Sequence, residues 1–291
     1  MEDRISGTTR LYALIGSPVG HSGSPAMHNY SFKRLGIDSV YVAFDVDREH
    51  TEDAMKALRT FNMGGMNVTM PLKTEVIKYM DELSDAARIM GAVNTIVNDN
   101  GRLIGHNTDG CGFVDNLRDK GVTVAGKRIA IAGGGGAATA IIVQCALDGA
   151  AGISIFKRKN ATFAKTEELA AKLAAERPEL AIGVYDIADT DGMTEIIRES
   201  DIFINATSVG MKPNDGETIV KDTGAFQEDL VVADVVYNPL ETRLLKEAKE
   251  AGVAKCVNGK GMLLWQGVAA FKLFTGQDMP VEEVKERFFA T

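Results

Sequence analysis

The chain is short of the residues from which disulfide frameworks and metal centres are built. Its 291 residues include three cysteines, Cys111, Cys145 and Cys256. They are odd in number, widely spaced and never arranged as CxxC, which argues against both a disulfide framework and a zinc site and favours a reducing compartment. The four histidines, His21, His28, His50 and His106, are too dispersed for a metal cluster. Positive charge is also in deficit. The formal net charge is −8 at pH 7, so the basic footprint that non-specific nucleic-acid binding needs is missing. An anionic substrate must then be held by a local site, because the overall field does not attract it. No apolar run approaches transmembrane length, and the opening MEDRISGTTR lacks the apolar core of a signal peptide. The expectation is a cytoplasmic protein with neither a nucleic-acid nor a membrane partner. Repeats, low-complexity linkers and blocks of like charge are missing as well.

What is present, 45% hydrophobic and 25% charged residues, is ordinary for a soluble globular protein. The length suits two domains with a substantial core. Residues 11–15, 40–44 and 65–68 read as strands, and residues 25–35 and 50–60 as helices between them. Residues 92–97 and 102–106 read as a hairpin closed at Asn100-Gly101, a strong tight-turn dipeptide. This half is therefore α/β with a mixed sheet. After a helix over about residues 109–120, strands at 128–132, 153–156, 182–185, 202–205, 231–235 and 255–257 follow in regular succession. Helices separate most of them, notably 137–147 and 161–176. That succession predicts a Rossmann-like, doubly wound parallel sheet. A helix over 261–274 and another starting at Pro280 have no strand left to follow, and are expected to rejoin the first domain. The expected division is residues 1–110 with 261–291, and residues 111–260.

The strand at 128–132 runs directly into Gly133-Gly134-Gly135-Gly136-Ala137-Ala138. Gly133, Gly135 and Ala138 fit G-x-G-x-x-A between a strand and a helix. There the first glycine permits a tight turn, the second admits a pyrophosphate, and a small third residue lets helix meet strand. The helix N-terminus adds N–H donors and positive potential for phosphates. Gly133, Gly134, Gly135, Gly136 and Ala137 are thus the expected dinucleotide contacts. A merely flexible turn is the plainer alternative, though it suits poorly a place between a buried strand and an apolar helix. Where an NAD-selective site offers an acid after the second strand, this chain has Lys157-Arg158-Lys159-Asn160. Three cations there suit a 2′-phosphate and tilt the expected cofactor from NAD towards NADP; a solvated basic turn is the alternative.

In Asn67-Val68-Thr69-Met70-Pro71-Leu72-Lys73, Pro71 suits the first position of a helix. Leu72, Val76, Ile77, Met80 and Leu83 continue with helical spacing. Lys73 is then expected in the first turn, where the positive end of the helix dipole disfavours a cation. Such a placement suits a general acid/base; an exposed lysine that snorkels to water fits the same pattern. Ser24 is a natural N-cap and Pro25 a natural first helical residue. Ser22 and Ser24, two apart, can also turn both hydroxyls to one small anion at that helix start. Asn94, in the hairpin, and Asp109, at a helix start, lie like Lys73 where α/β ligand sites form. An aspartate beside Lys73 would fix its ammonium group. Gly110 and Gly112 are costly in a helix and imply a close approach to the backbone there.

Together these segments resemble the shikimate dehydrogenase family through nearly the whole chain. His21-Ser22-Gly23-Ser24-Pro25 resembles its carboxylate-binding Ser-x-Ser loop, and the segment ending in Lys73 its catalytic-lysine motif. Gly91-Ala92-Val93-Asn94-Thr95 and Asn107-Thr108-Asp109-Gly110 resemble the segments carrying its polyol-binding asparagine and catalytic aspartate. The glycine loop, Val209-Gly210-Met211-Lys212-Pro213 and Gly261-Met262-Leu263-Leu264-Trp265-Gln266-Gly267 are most similar to the quinate/shikimate dehydrogenase branch. The resemblance implies catalytic roles for Lys73 and Asp109. It implies substrate contacts from Ser22, Ser24, Thr69, Asn94, Tyr237 and Gln266, with Val236, Tyr237, Asn238 and Gly259 on the nicotinamide side. The chain departs from the branch at Lys157, commonly Asn, and at Asn160, commonly Asp, which again moves the preference towards NADP. Gly23 is smaller than its usual counterpart.

The implied activity is reversible oxidation of shikimate to 3-dehydroshikimate, or of quinate to 3-dehydroquinate, with NADP or NAD. That reaction belongs to aromatic amino acid biosynthesis or the quinate pathway, and the protein is expected as a monomer or homodimer. Two rival readings are a nucleotide-sensing regulator without catalysis, and a related dehydrogenase acting on an amino-substituted ring or a folate. The presence of both Lys73 and Asp109 counts against the first, and the paired serines count against the second.

Overall fold

The computed structural model describes residues 5–290. It divides into two compact units, one running to Thr108 and resuming at Gln266, the other Asp109–Trp265. The first contains β1 (Arg10–Gly16), α1 (Ser24–Leu35), β2 (Ser39–Asp45), α2 (Thr51–Thr60), β3 (Gly65–Val68), β4 (Glu82–Leu83), α3 (Asp85–Met90), β5 (Thr95–Asp99) and β6 (Arg102–His106). Its sheet has the order β2-β1-β3-β5-β6-β4. β1 pairs in parallel with β2 and β3, whereas β5 is antiparallel to both β3 and β6. The mixed sheet expected from the Asn100-Gly101 turn is therefore present. Asn100 and Gly101 both take positive φ, 51° and 94°, as a two-residue hairpin turn with the twist of its strands requires. One face of the sheet is sealed by Ala13, Ile15, Met55, Leu58, Met66, Val68, Leu72 and Ile96.

The second unit contains α4 (Asp109–Asp119), β7 (Arg128–Ala132), α5 (Gly136–Leu147), β8 (Gly152–Lys157), α6 (Phe163–Glu176), β9 (Ala181–Asp186), α7 (Thr190–Arg198), β10 (Ile202–Asn205), β11 (Val231–Asp234), α8 (Arg243–Glu250), β12 (Lys255–Val257) and the start of α9 (Lys260–Thr275). Its sheet is wholly parallel in the order β12-β11-β10-β7-β8-β9. Parallel strands covered on both faces must be apolar almost throughout, as Ile129–Ala132 and Ile202–Ile204 are. Strand order reverses between β7 and β10, so a switch-point crevice opens at the carboxyl ends of these two strands. Helix α4 packs closely on α5. A Cβ on Gly110 would strike the Ala140 carbonyl oxygen and lie 2.8 Å from Gln144 Cβ. The close approach implied at Gly110 is therefore made by the protein's own helix.

From Gln266 onward, α9 and α10 (Val281–Phe288) belong to the first unit. Phe271 and Phe274 pack among Tyr12, Phe32 and His28, and Tyr12 donates to the Phe274 carbonyl at 3.1 Å. Tyr30 and Arg34 of α1 both bond Glu283 of α10. Among the described residues no helix is long and apolar enough to cross a membrane.

The segment after Pro71 departs from expectation. It forms a short 3₁₀ turn, Glu75–Tyr79, rather than a helix beginning at Pro71. The Lys73 carbonyl, which an α-helix would offer to residue 77, instead accepts from Val93 N–H at 2.8 Å. Leu72 and Val76 are buried in the core, so the apolar spacing is real while the helical ladder is interrupted. Lys73 precedes the 3₁₀ turn, and the argument from a helix dipole does not apply to it.

Candidate active site

In the first unit, backbone hydrogen bonds gather the substrate candidates. Ser17 N–H donates to the Met70 carbonyl at 3.0 Å, and Thr69 N–H to Ile15 at 2.9 Å. These bonds lay the serine loop beside the segment that carries Thr69 and Lys73. Ser24 is not the cap of α1. Gly23 holds that position, without a side-chain cap, and Ser24 is the first helical residue. The Ser24 N–H donates to Ser22 Oγ at 3.2 Å. Both serines are half-buried.

Asn94 sits one residue before β5 rather than inside it, and is 3% exposed. Its Oδ1 accepts from Thr108 N–H at 2.8 Å and from the hydroxyls of Thr95 and Thr108 at 2.9 and 3.2 Å. Its main-chain carbonyl accepts from Val68 N–H at 2.8 Å. Asn94 thus ties the lysine-bearing segment to the turn that leads into Asp109. The same network includes residues whose role the motifs alone do not reveal. Tyr41 donates to Asn67 Oδ1 at 2.8 Å, and Asn67 Nδ2 donates to Thr95 Oγ1 at 2.9 Å. Asp109 opens α4 in the second unit and is half-buried; Gln266 lies on α9 and is half-buried as well.

In the second unit, Gly133 has φ +130°, and a Cβ there would stand 2.6 Å from the Ala206 carbonyl oxygen. Only glycine supplies that turn without strain. Gly135 is the extended N-cap of α5, which starts at Gly136, so its free N–H groups open beside the loop. A cleft of about 250 Å³ adjoins the loop and is lined by Gly133, Gly134 and Gly135 with Lys157, Arg158 and Asn160, and by Thr207 and Ser208 across from them. These residues fit a dinucleotide: the loop leaves room for phosphates, the helix start supplies donors, and Lys157 and Arg158 bring cations to the same cleft. Lys159 does not line the cleft, and its ammonium faces Asp186 at 3.9 Å. We expect Gly133→Val to weaken dinucleotide binding at least about tenfold and to destabilise the unit by about 1–3 kcal/mol. Titration calorimetry and thermal melting check both; unchanged binding would contradict the loop's role.

Val236, Tyr237, Asn238 and Gly259 occupy the loops after β11 and β12. Their order depends on Asp234, which is fully buried. Asp234 accepts from Val236 N–H at 2.9 Å, Asn205 Nδ2 at 3.0 Å and Thr242 Oγ1 at 2.7 Å. Burial pushes its carboxyl above the usual range, and these three donors pull the other way. Gly259 N–H donates to the Val236 carbonyl at 3.1 Å. Tyr237 and Asn238 are exposed. No chemistry-bearing motif marks Asp234; its position at a strand end two residues before Val236 is the one signal.

A parallel sheet with a glycine loop at its switch point, together with a separate mixed-sheet unit, defines a two-unit α/β protein of the dinucleotide-binding class. Residues 14–96 match the family model described as the shikimate dehydrogenase substrate binding domain, and residues 259–287 that of the shikimate 5′-dehydrogenase C-terminal domain. The chain is 47% identical to the shikimate dehydrogenase (NADP(+)) of Streptococcus uberis, over 99% of this chain and 98% of that one. The crystal structure of shikimate 5-dehydrogenase from Listeria monocytogenes in complex with shikimate and NAD superposes with a TM-score of 0.95 at 46% identity, covering 98% of each chain. Quinate dehydrogenase from Corynebacterium glutamicum in complex with NAD gives 0.84 at 29% identity, covering 97% of this chain and 99% of that one. The chain belongs to the shikimate dehydrogenase family.

Proposed function

We propose that the protein reversibly oxidises the ring hydroxyl of shikimate to give 3-dehydroshikimate, with NADP as the principal cofactor. The bound dinucleotide supplies hydride transfer at its nicotinamide ring. Lys73 and Asp109 are the catalytic residues, Lys73 exchanging the hydroxyl proton. Ser22 and Ser24 hold the carboxylate, while Thr69, Asn94 and Gln266 hold the remaining hydroxyls. Gly133–Ala137 receive the pyrophosphate, and Val236, Tyr237, Asn238 and Gly259 flank the nicotinamide. The reading assigns substrate binding to the mixed-sheet unit and dinucleotide binding to the parallel-sheet unit.

The observation that carries it is the convergence of the serine loop, the Thr69–Lys73 segment and Asn94 through backbone bonds at Met70, Lys73 and Val68. A small polyhydroxy acid needs an anion cradle, a proton-exchanging group and neutral hydrogen-bonding groups together, and this unit supplies all three. Quinate falls within the same reading, because it shares the carboxylate and ring hydroxyls and lacks the ring double bond. We expect Ser22→Ala to raise the KM for shikimate by about tenfold or more, the value of a hydrogen bond to a charged group, with the KM for NADP unchanged. Steady-state kinetics in both substrates check this; an unaltered shikimate KM would remove the carboxylate assignment.

A further inference from the structure

Asp234 is the fully buried last residue of β11, and the buried Asn205 is the last residue of β10, directly opposite it in the parallel register. A buried carboxylate is costly unless it is hydrogen-bonded, and this one is held by three donors. Its Oδ1 accepts from Asn205 Nδ2 at 3.0 Å and from Val236 N–H at 2.9 Å, and its Oδ2 from Thr242 Oγ1 at 2.7 Å. Asn205 carries the chain of bonds into the loop after β10. Its Oδ1 accepts from Thr207 N–H at 3.1 Å and from the Thr207 hydroxyl at 2.7 Å, and its Nδ2 also donates to the Val209 carbonyl at 3.1 Å. Thr207 lines the cleft beside the glycine loop. On the other side, the Val236 carbonyl accepts from Gly259 N–H at 3.1 Å, and a Cβ on Gly259 would strike the Val235 carbonyl oxygen. The loops after β11 and β12 are therefore locked to each other, and Asp234 joins them to the loop after β10.

We propose that Asp234 is a positioning residue for hydride transfer: through Asn205 and Thr242 it sets the loop that flanks the nicotinamide against the cleft wall beside the glycine loop. The inference rests on the reading above, in which Val236, Tyr237, Asn238 and Gly259 flank the nicotinamide. Asp234 is fully buried and acts through the Val236 N–H. Tyr237 and Asn238 are exposed, so burial of their own side chains does not fix the loop. Hydride transfer is sensitive to such placement, because a misplacement of about 1 Å can cost on the order of 10²-fold in rate. The loop needs fixed partners at residue 234, and not the negative charge as such. Asparagine offers one oxygen to Asn205 and Val236 and can donate its amide to Thr242 Oγ1, whereas alanine leaves all three donors unmet.

The test compares Asp234→Ala, Asp234→Asn and the unaltered chain in calorimetric binding of NADP and adenosine 2′,5′-bisphosphate, and in steady-state turnover of shikimate. Asp234→Ala is expected to lower kcat by about ten- to a hundredfold and to weaken NADP by about three- to tenfold. Binding of the bisphosphate, which lacks the nicotinamide half, and the KM for shikimate should both stay within about twofold. Asp234→Asn should recover kcat to within about fivefold of the unaltered chain. Thr242→Val removes one donor together with the α8 cap, and should show the same pattern at smaller amplitude. It keeps the proposal testable should Asp234→Ala fail to fold. A lowered melting temperature in Asp234→Ala with kcat and both affinities unchanged would reduce Asp234 to a structural role and overturn the proposal. Equal weakening of NADP and the bisphosphate would overturn it too, as would an Asp234→Asn variant as slow as Asp234→Ala. An unaltered chain that binds NADP without turning over shikimate would instead defeat the substrate reading, and the split between NADP and the bisphosphate would still decide the role of Asp234.

Discussion

Lys73→Ala should lower kcat for shikimate oxidation by about 10²–10⁴-fold, the usual contribution of positioned proton transfer, while the dissociation constant of NADP stays unchanged. The substitution removes the side chain and little else. Lys73 is fixed by its main chain, whose carbonyl takes the Val93 N–H at 2.8 Å, and by the buried Leu72 that precedes it. A group that acts only in the transition state lowers kcat and kcat/KM together, so the KM for shikimate should move far less than kcat. Rapid-mixing and steady-state measurements of the variant, with NADP binding followed by calorimetry, check all three quantities. Turnover within a factor of a few of the unaltered chain would remove Lys73 from the chemistry.

The second large effect is on stability. His28 lies on α1 with 1% of its surface exposed, stacked on Tyr41 with centroids 4.4 Å apart and planes at 4°. Neither ring nitrogen has a hydrogen-bond partner among the described residues, and the other rings around it, Phe32, Phe271 and Phe274, carry no charge. Burial pulls its pKa down from 6.5 to about 3. Below pH 6.5 the unfolded chain takes up a proton that the folded chain refuses. The stability that rests on a neutral His28 is therefore complete above pH 6.5 and drains as pH falls towards 3. Between pH 7.5 and pH 5 the loss should be about 2 kcal/mol, since each unit below the unfolded value costs about 1.4 kcal/mol. His28→Phe keeps a stacked ring and removes the titration. Urea unfolding of both proteins at the two pH values should show the variant losing about 2 kcal/mol less than its parent on acidification. A pH-independent difference between them would show that His28 does not titrate on unfolding.

These effects also separate what the sequence made legible from what it did not. The parallel sheet could be read because β7, β10 and β11 are short continuous apolar runs bounded by glycine, asparagine or aspartate. Such runs have few other uses in a chain of alternating elements. The hairpin could be read because only a narrow set of dipeptides adopts two successive positive φ angles. The region after Pro71 misleads because the spacing of Leu72, Val76 and Ile77 records burial and not hydrogen bonding. The bond from Val93 to Lys73 that interrupts the helix links residues 20 apart in sequence. Ser24 misleads as a cap because α1 begins at Ser24 itself, with Gly23 in the capping position. Asp234 and Tyr41 owe their importance to partners in the folded chain, and nothing in their residue types distinguishes them from many others. Lys157 could be seen as a cation at the end of the second strand of the parallel sheet, but only the structure separates it from Lys159 by burial.

The most direct test of the account is a steady-state grid of shikimate and quinate against NADP and NAD with the unaltered chain. The account predicts turnover of shikimate, with kcat/KM higher for NADP than for NAD. Absence of turnover for either acid with either dinucleotide would contradict it.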